Sequence, residues 1–492
     1  MTTSYLNNYA KNRPLSELDT KAVAFYAALD SVAAVNPVIA EATLKELADQ
    51  RANLKLIASE NYCSLNVQQA MGNLLTDKYA EGVAGARFYA GCENVDTIEA
   101  EASALARELF GAEYAYVQPH SGADANLVAF TAILAAKVQK NFVEKLGAKD
   151  IRALDENQWR ELRKEMGNQK MMALDISSGG HLTHGYRMNI SALLFEAHQY
   201  SVSRETGLLD YEEIRKQALE VKPLLLLAGF SAYPRRINFA KMKAIADEVG
   251  AVLMVDMAHF AGLVAGKVFE GEENPIAYAD IVTSTTHKTL RGPRGGIVLA
   301  KKWLGEYVDK GCPAILGGPL PHVMAAKAVA FKEALRPEFA EYAARIVENA
   351  RALAAACAEE GIEVLTGGTD NHLLQLNVFK SFGLTGRQAE EALRECGLTM
   401  NRNSIPFDPN GVWYTSGLRL GTPALTTLGM GVAEMKQVGA MIKKVLSACK
   451  PAVGKDGAVS QAKYELDNAV RDSVKAEAGE LLKRFRLYPE LD

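Results

Sequence analysis

Between about residue 110 and residue 300, short apolar runs alternate with stretches whose apolar residues recur at helical spacing. The runs AEYAYVQP, KPLLLLAGF, AVLMVD and ADIVTSTTHK predict strands, and ADANLVAFTAILAAKV and AKMKAIADEVG predict helices between them. That order predicts an α/β fold in which helices cover a mostly parallel sheet. Ligands of such sheets bind beyond the carboxyl ends of the strands, so polar residues just after each strand are the first candidates for chemistry. Residues 137–171 break the rhythm, being charged and helix-prone with scattered apolar positions, and predict a surface insertion. After about residue 335 the helical pattern PEFAEYAARIVENARALAAACAEEG leads into EVLTGG and NHLLQLNVF, which predicts a smaller α+β lobe. The first 40 or so residues are polar or alanine-rich with weak periodicity and read as an extension leading into the helix AEATLKELADQR. A chain of 492 residues is too long for one ordinary core. The expected division is an extension over 1–50, a large domain over 51–335 and a small carboxyl-terminal domain over 336–492.

Composition narrows the choice of partner. Hydrophobic residues make up 48% and charged residues 23%, and the formal net charge is -4. Such mild acidity without a basic run argues against nucleic acid or a membrane surface as the main partner and leaves a small molecule as the default. Six cysteines are scattered with no CxxC pair, which speaks against zinc ribbons and a disulfide framework. Reduced thiols, and an amino terminus lacking a basic stretch followed by an apolar run, lead us to expect a cytoplasmic protein.

The densest chemistry lies in TSTTHKTLRGPRGG, where Lys288 follows a strand, sits behind His287 and precedes a glycine-bearing loop. Desolvation at a strand end lowers a lysine pKa enough for imine chemistry with an aldehyde. Most lysines are surface charges, so the case depends on its companions. Asp256 ends the strand AVLMVD, where an unpaired carboxylate is costly to bury unless it meets a cation such as a protonated pyridine nitrogen; alone it reads equally well as a loop cap. His259 follows three residues later. In QPHSGADANLVAF, Ser121 and Gly122 precede a helix whose free amides favour a phosphate, although a serine there is more often a simple N-cap. The segment SSGGHLTHG supplies His181, able to stack on a planar ring. His181 and His184 have a spacing that suggests a metal, but no third ligand follows.

In order and spacing, IASENY, KYAEGV, HSGADAN, GGHLTHG, GFSAY, VDMAH, TTHKTLRGPRGG, GGTDNHL and TSGLRLGTPA resemble the serine hydroxymethyltransferase family over roughly residues 45–490. The resemblance implies a fold-type I pyridoxal-phosphate enzyme of the aspartate-aminotransferase class. It implies a homodimer, or a tetramer, with sites shared between subunits, and transfer of serine's hydroxymethyl carbon to tetrahydrofolate through aldimine and quinonoid intermediates. On that resemblance Lys288 carries the cofactor, Asp256 faces the ring nitrogen, His181 stacks on the ring, and Ser231, His259 and His287 lie near it. Ser121, Gly122 and Ala123 hold the phosphate, with Gly317 and Gly318 reaching in from the neighbouring subunit. Arg419 grips the substrate carboxylate with help from Ser59 and Tyr79. Glu81, Tyr89 and His259 join Lys288 in catalysis, and Phe88, Ile176, Leu182 and Asn403 fall in the folate site. Several positions depart from the family pattern: Ala123 replaces a hydroxyl residue, Phe88 a tyrosine, Gly411-Val412-Trp413 a Ser-Pro-Phe run, and PAILGGP a more glycine-rich loop. Two alternatives stay open, a folate-independent aldolase of β-hydroxy amino acids, threonine-aldolase-like, and a scaffold or RNA-binding protein that keeps only the fold.

Overall fold

A computed structural model of the chain describes residues 4–492. Its centre is a seven-stranded sheet built from β1 (Tyr114–Tyr116), β2 (Lys170–Leu174), β3 (Glu196–Tyr200), β4 (Leu225–Gly229), β5 (Val252–Asp256), β6 (Ile281–Thr285) and β7 (Gly296–Ala300). The spatial order is β1-β7-β6-β5-β4-β2-β3, parallel except for β7, which runs antiparallel to both neighbours. Both faces are covered at the centre, which is why β4 and β5 read as continuous apolar runs, while the edge strand β3 is polar and mostly unburied. Alternation splits each run between two cores: Leu226, Ala228, Leu253 and Val255 enter one, and Leu225, Leu227, Val252 and Met254 the other. The second core is shared with the helix Gly122–Leu134 through Val128, Phe130 and Ile133.

Continuing that parity puts Asp256 on the Gly122–Leu134 side of the sheet, at the carboxyl end of β5. Gly229, paired with Asp256 across the strands, has a φ of 121°, and a Cβ there would lie 2.1 Å from Asp256 O. Only glycine lets the chain leave β4 so close to the backbone of Asp256.

A smaller antiparallel sheet, ordered β8-β10-β9, comprises β8 (Leu373–Asn377), β9 (Asn401–Asn403) and β10 (Gly417–Gly421). The helix Pro337–Glu359 joins the lobes: Phe339, Tyr342 and Ile346 pack in the first core of the large lobe, and Leu353, Ala354 and Cys357 in the core of the small one.

The structure differs from expectation at three edges. The amino-terminal extension holds two 16-residue helices, Thr20–Val35 and Pro37–Ala52, parted where Pro37 follows an extended Asn36. Their apolar residues form no sharp stripe, hence the weak periodicity. Leu54–Lys55 pairs in parallel with Leu398–Thr399, and Leu54 and Leu56 pack in the smaller lobe's core, so the expected large domain of 51–335 begins with a segment that packs elsewhere. Finally, parts of the expected insertion are core rather than surface: Val138 and Phe142 near its start are buried in the core that includes the sheet, as is Leu162, and the stretch closes on β2 from Lys170.

Candidate active site

The first cluster gathers at the carboxyl ends of β2, β4, β5 and β6. Lys288 lies three residues beyond β6 and is 9% exposed. Its carbonyl accepts hydrogen bonds from Asn61 Nδ2 at 2.9 Å and from Arg291 N at 3.0 Å, which pins the turn that carries it. Burial lowers its amine pKa to about 8; Asp256 opposes that fall, and Arg419 and Arg294 add to it. About a tenth of the amine is then neutral at pH 7, the form an attacking amine needs, far more than for an ordinary lysine.

Asp256 is 7% exposed. Its Oδ2 accepts from Asn126 Nδ2 at 2.9 Å and lies 3.5 Å from His184 Nε2, while Oδ1 accepts from Ala258 N at 3.0 Å. Burial alone raises its pKa, yet His184, His181 and Asn126 together hold it below the ordinary carboxylate value, so it stays ionised. Oδ1 keeps acceptor capacity for a further donor. His181 is partly exposed, and burial brings its pKa to about 4, so its ring is neutral at physiological pH. Behind it, His259 is buried with Nδ1 3.2 Å from His372 Nε2 in a stacked pair, and burial pushes both imidazoles well below their ordinary pKa. His287 is partly buried next to Lys288, with its pKa brought to about 3 by burial and by Arg294. Ser231 turns its hydroxyl back onto the His181 loop, donating to Gly180 O at 2.9 Å.

Ser121 caps the helix Gly122–Leu134 by accepting from Asp124 N at 3.1 Å. Gly122 lies so close to Lys288's strand that a Cβ would come within 2.6 Å of Thr285 Cγ2, which places the free amides of the helix start beside the lysine loop. Ala123 is exposed and offers only its backbone.

Arg419 comes from β10 in the small lobe. Its Nε donates to Asn401 Oδ1 at 3.1 Å and its Nη1 to Ser231 O at 2.6 Å, tying the two lobes together. Part of the side chain meets solvent, while the protein packed around it lowers its pKa to about 10 with no carboxylate contributing. Among the described residues it has no acidic partner, unlike Arg87, Arg235, Arg236 and Arg402, each of which does. Ser59 follows Ala58, whose backbone packs on Gly421 at the end of the same strand. Ile176 and Leu182 belong to the loop after β2, and Asn403 ends β9.

A second cluster stands apart. Tyr79 donates to Glu81 Oε1 at 3.1 Å and meets the ring of Tyr89 edge-on at 5.0 Å, and Phe88 N bonds to Glu81 O at 3.0 Å. Tyr79, Phe88 and Tyr89 are 54%, 70% and 48% exposed, unusual for aromatic rings. The loop with Gly317 and Gly318 packs here: Gly82 N donates to Cys312 Sγ at 3.3 Å, and a Cβ on Gly318 would touch the Tyr79 ring at 3.1 Å. Among the described residues no hydrogen bond or ion pair links the side chains of this cluster to Lys288, Asp256 or Arg419.

Several residues around the first cluster carry no signal in the sequence, or, for His184, a signal that points to a metal instead. Asn126 and His184 hold Asp256, His372 backs His259, and Asn401 holds Arg419. Lys327 is 1% exposed and donates to Val117 O, Pro119 O and Gly296 O at 2.6, 2.9 and 2.9 Å, clamping the loop that leads to Ser121. Asn126 and Lys327 sit on helices, Asn401 on a strand, and His184 and His372 in connecting loops, and only their tertiary neighbours give them work. The His181–His184 spacing serves Asp256; among the described residues no cluster of metal-ligating groups occurs.

The donor set fits pyridoxal phosphate: an amine of lowered pKa, a fixed carboxylate for a ring nitrogen, a neutral imidazole for the ring face and helix-start amides for the phosphate. A family model described as serine hydroxymethyltransferase matches residues 32–142 and 164–442, and the unmatched gap falls within the expected insertion. A protein named serine hydroxymethyltransferase from Treponema pallidum is 60% identical over the whole chain, which covers 86% of that protein. Proteins of the same name from Salinispora tropica and Chlamydia trachomatis are 56% and 53% identical, over 96% and 99% of the chain and 99% of each relative. Matches of that length and identity, together with the lysine, carboxylate and arginine brought to one place, show that the chain belongs to the serine hydroxymethyltransferase family.

Proposed function

We propose that the chain, in a fold-type I architecture, moves the hydroxymethyl carbon of serine onto tetrahydrofolate, giving glycine, 5,10-methylenetetrahydrofolate and water, with pyridoxal phosphate held on Lys288. The observation that carries this reading is Arg419, a cation among packed protein with no acidic partner among the described residues, in a site that also holds Lys288 and Asp256. Such a guanidinium is complementary to the carboxylate of an amino acid, which it can bind with two parallel hydrogen bonds.

Pyridoxal phosphate, when bound, supplies a conjugated ring that withdraws electrons from the α-carbon of an attached amino acid. The chain's residues do the rest. Lys288 offers the amine, and its lowered pKa keeps part of it neutral. Asp256, held ionised, keeps a ring nitrogen protonated, with His181 against the ring and Ser231, His259 and His287 around it. Ser121, Gly122 and Ala123 bind the phosphate, mainly through backbone amides. Arg419 and Ser59 orient serine by its carboxylate. Glu81 moves the proton of the serine hydroxyl, hydrogen-bonded to Tyr79 and flanked by Tyr89. Ile176, Leu182, Asn403 and Phe88 meet the folate.

Because Glu81, Tyr79, Tyr89, Phe88, Gly317 and Gly318 form a separate cluster on one chain, we assign them to the site of a second copy, in a homodimer that completes both sites. The exposed rings of that cluster support this arrangement.

The test has two arms. Borohydride reduction of the loaded enzyme should fix the cofactor to the peptide containing Lys288, and Lys288→Ala should carry no label and no activity; a label elsewhere overturns the assignment. Serine cleavage should depend on tetrahydrofolate, and equal rates without it would identify a folate-independent aldolase instead.

A further inference from the structure

We propose that Asn126 and Thr183 are positioning residues that fix His181 as a neutral ring with its proton on Nε2. This rests on the reading of His181 as the residue that faces the cofactor ring, and it specifies how the protein prepares that residue before any ligand arrives.

The argument starts at Asp256. An ionised carboxylate only accepts hydrogen bonds, so the atom of Asn126 that lies 2.9 Å from Asp256 Oδ2 must be the amide nitrogen. That orientation settles the rest of the network. The second hydrogen of Asn126 Nδ2 goes to Thr183 Oγ1 at 2.7 Å, and Asn126 Oδ1 accepts from Thr283 Oγ1 at 2.5 Å. Asn126 is 1% exposed, Thr183 2% and Thr283 1%, so water does not offer alternative partners. Having accepted from Asn126, Thr183 directs its own hydroxyl proton to His181 Nδ1, 2.8 Å away. The backbone amide of Thr183, which can only donate, also points at Nδ1, at 3.2 Å. Two donors aimed at one ring nitrogen leave no room for a proton there, so Nδ1 is an acceptor and Nε2 holds the hydrogen.

Protonating His181 would require turning both Thr183 donors away. The titratable and charged groups acting on the ring are Asp256, which favours the cation, and His184, Lys288 and Arg419, which oppose it. His184 stands with its ring centroid 6.0 Å from that of His181. A neutral imidazole suits a face-to-face contact with a protonated pyridine ring, because a second positive charge at stacking distance would repel it.

The experiment uses cofactor-free protein labelled with 15N-histidine, the His181 signals being assigned by their loss in His181→Asn. In the wild type at pH 7 we expect an unprotonated Nδ1 and a protonated Nε2, with no imidazolium until the pH nears 4. Thr183→Val should raise the titration midpoint by about one pH unit or more, roughly a tenfold gain in proton affinity, and Thr183→Ser should restore the wild-type value. A Nδ1-protonated ring in the wild type overturns the proposal even if neither variant folds. So does an unmoved midpoint in Thr183→Val, or a Thr183→Ser protein that titrates like the valine variant. Borohydride labelling of Lys288 tests the cofactor reading separately: its failure beside the expected tautomer sinks that reading and leaves this one standing.

Discussion

Arg419 and Lys288 show how a residue acquires chemistry from what surrounds it. Arg419 gives up hydration and gains Asn401 and Ser231 O but no carboxylate, so it keeps its charge available for a substrate. Arg419→Ala should raise the KM for serine by roughly a hundredfold, corresponding to about 3 kcal/mol for a charge-assisted pair, and an unchanged KM would remove it from the site. Arg419→Lys should recover little, since a point charge cannot reproduce the two-pronged geometry. For Lys288, a pKa of about 8 in place of 10.5 means that the amine is mostly protonated below pH 8 and mostly neutral above it. The rate at which cofactor-free protein captures pyridoxal phosphate should therefore rise with pH and level off above about 8. A rate still climbing toward 10.5 would show that the amine is not desolvated. Lys288, Asp256, His181 and Arg419 stood out in the sequence as reactive types just after predicted strands or in specific motifs. Asn126, Thr183 and Lys327 did not, because an amide, a hydroxyl or an ammonium has no signature until its partners arrive from elsewhere.

At the scale of elements, the helix Gly122–Leu134 does two jobs that its sequence separates by one turn. Its start presents backbone amides beside Thr285, and Asn126 fastens it to β5 and β6. Ala123 contributes no side-chain donor at that start, so Ala123→Ser should tighten pyridoxal phosphate binding up to about tenfold, as one added hydrogen bond to a charged group is worth about 1.5 kcal/mol. Binding of pyridoxal, which lacks the phosphate, should not change, and equal gains for both ligands would contradict the assignment. Lys327 anchors the loop before the helix. Lys327→Met should destabilise the protein by about 3 kcal/mol or more in urea unfolding, since it strands three buried carbonyls. Central strands such as β4 and β5 were legible because burial on both faces writes them as continuous apolar runs, whereas the edge strand β3, EAHQY, is mostly unburied and carries no such run. The helix Thr20–Val35 was not, because few of its residues are buried within the chain, only Ala22, Leu29 and Ala33.

Across the whole molecule, burial has gathered histidines that prefer to be neutral. His181 is held at about 4, His287 and His372 at about 3, and His259 lies well below 6.5. The unfolded chain binds these protons at about pH 6.5, before the folded one does, so stability is complete above that pH and drains away as the pH falls toward 4 and then 3. Each group adds a slope of up to about 1.4 kcal/mol per pH unit. Urea unfolding should thus show a marked loss between pH 7 and pH 5, and a flat profile would contradict the burial of these rings. The sequence by itself determined the helix-covered parallel sheet, the smaller lobe and the reactive residues at strand ends, because periodicity and residue chemistry are local. Only the tertiary structure decided that Leu54–Leu56 packs in the smaller lobe, that Arg419 crosses from one lobe to reach the other, and that Glu81 and Tyr79 stand apart from Lys288 on the same chain. Those outcomes depend on contacts between residues hundreds of positions apart, and no local pattern encodes which distant surfaces will meet.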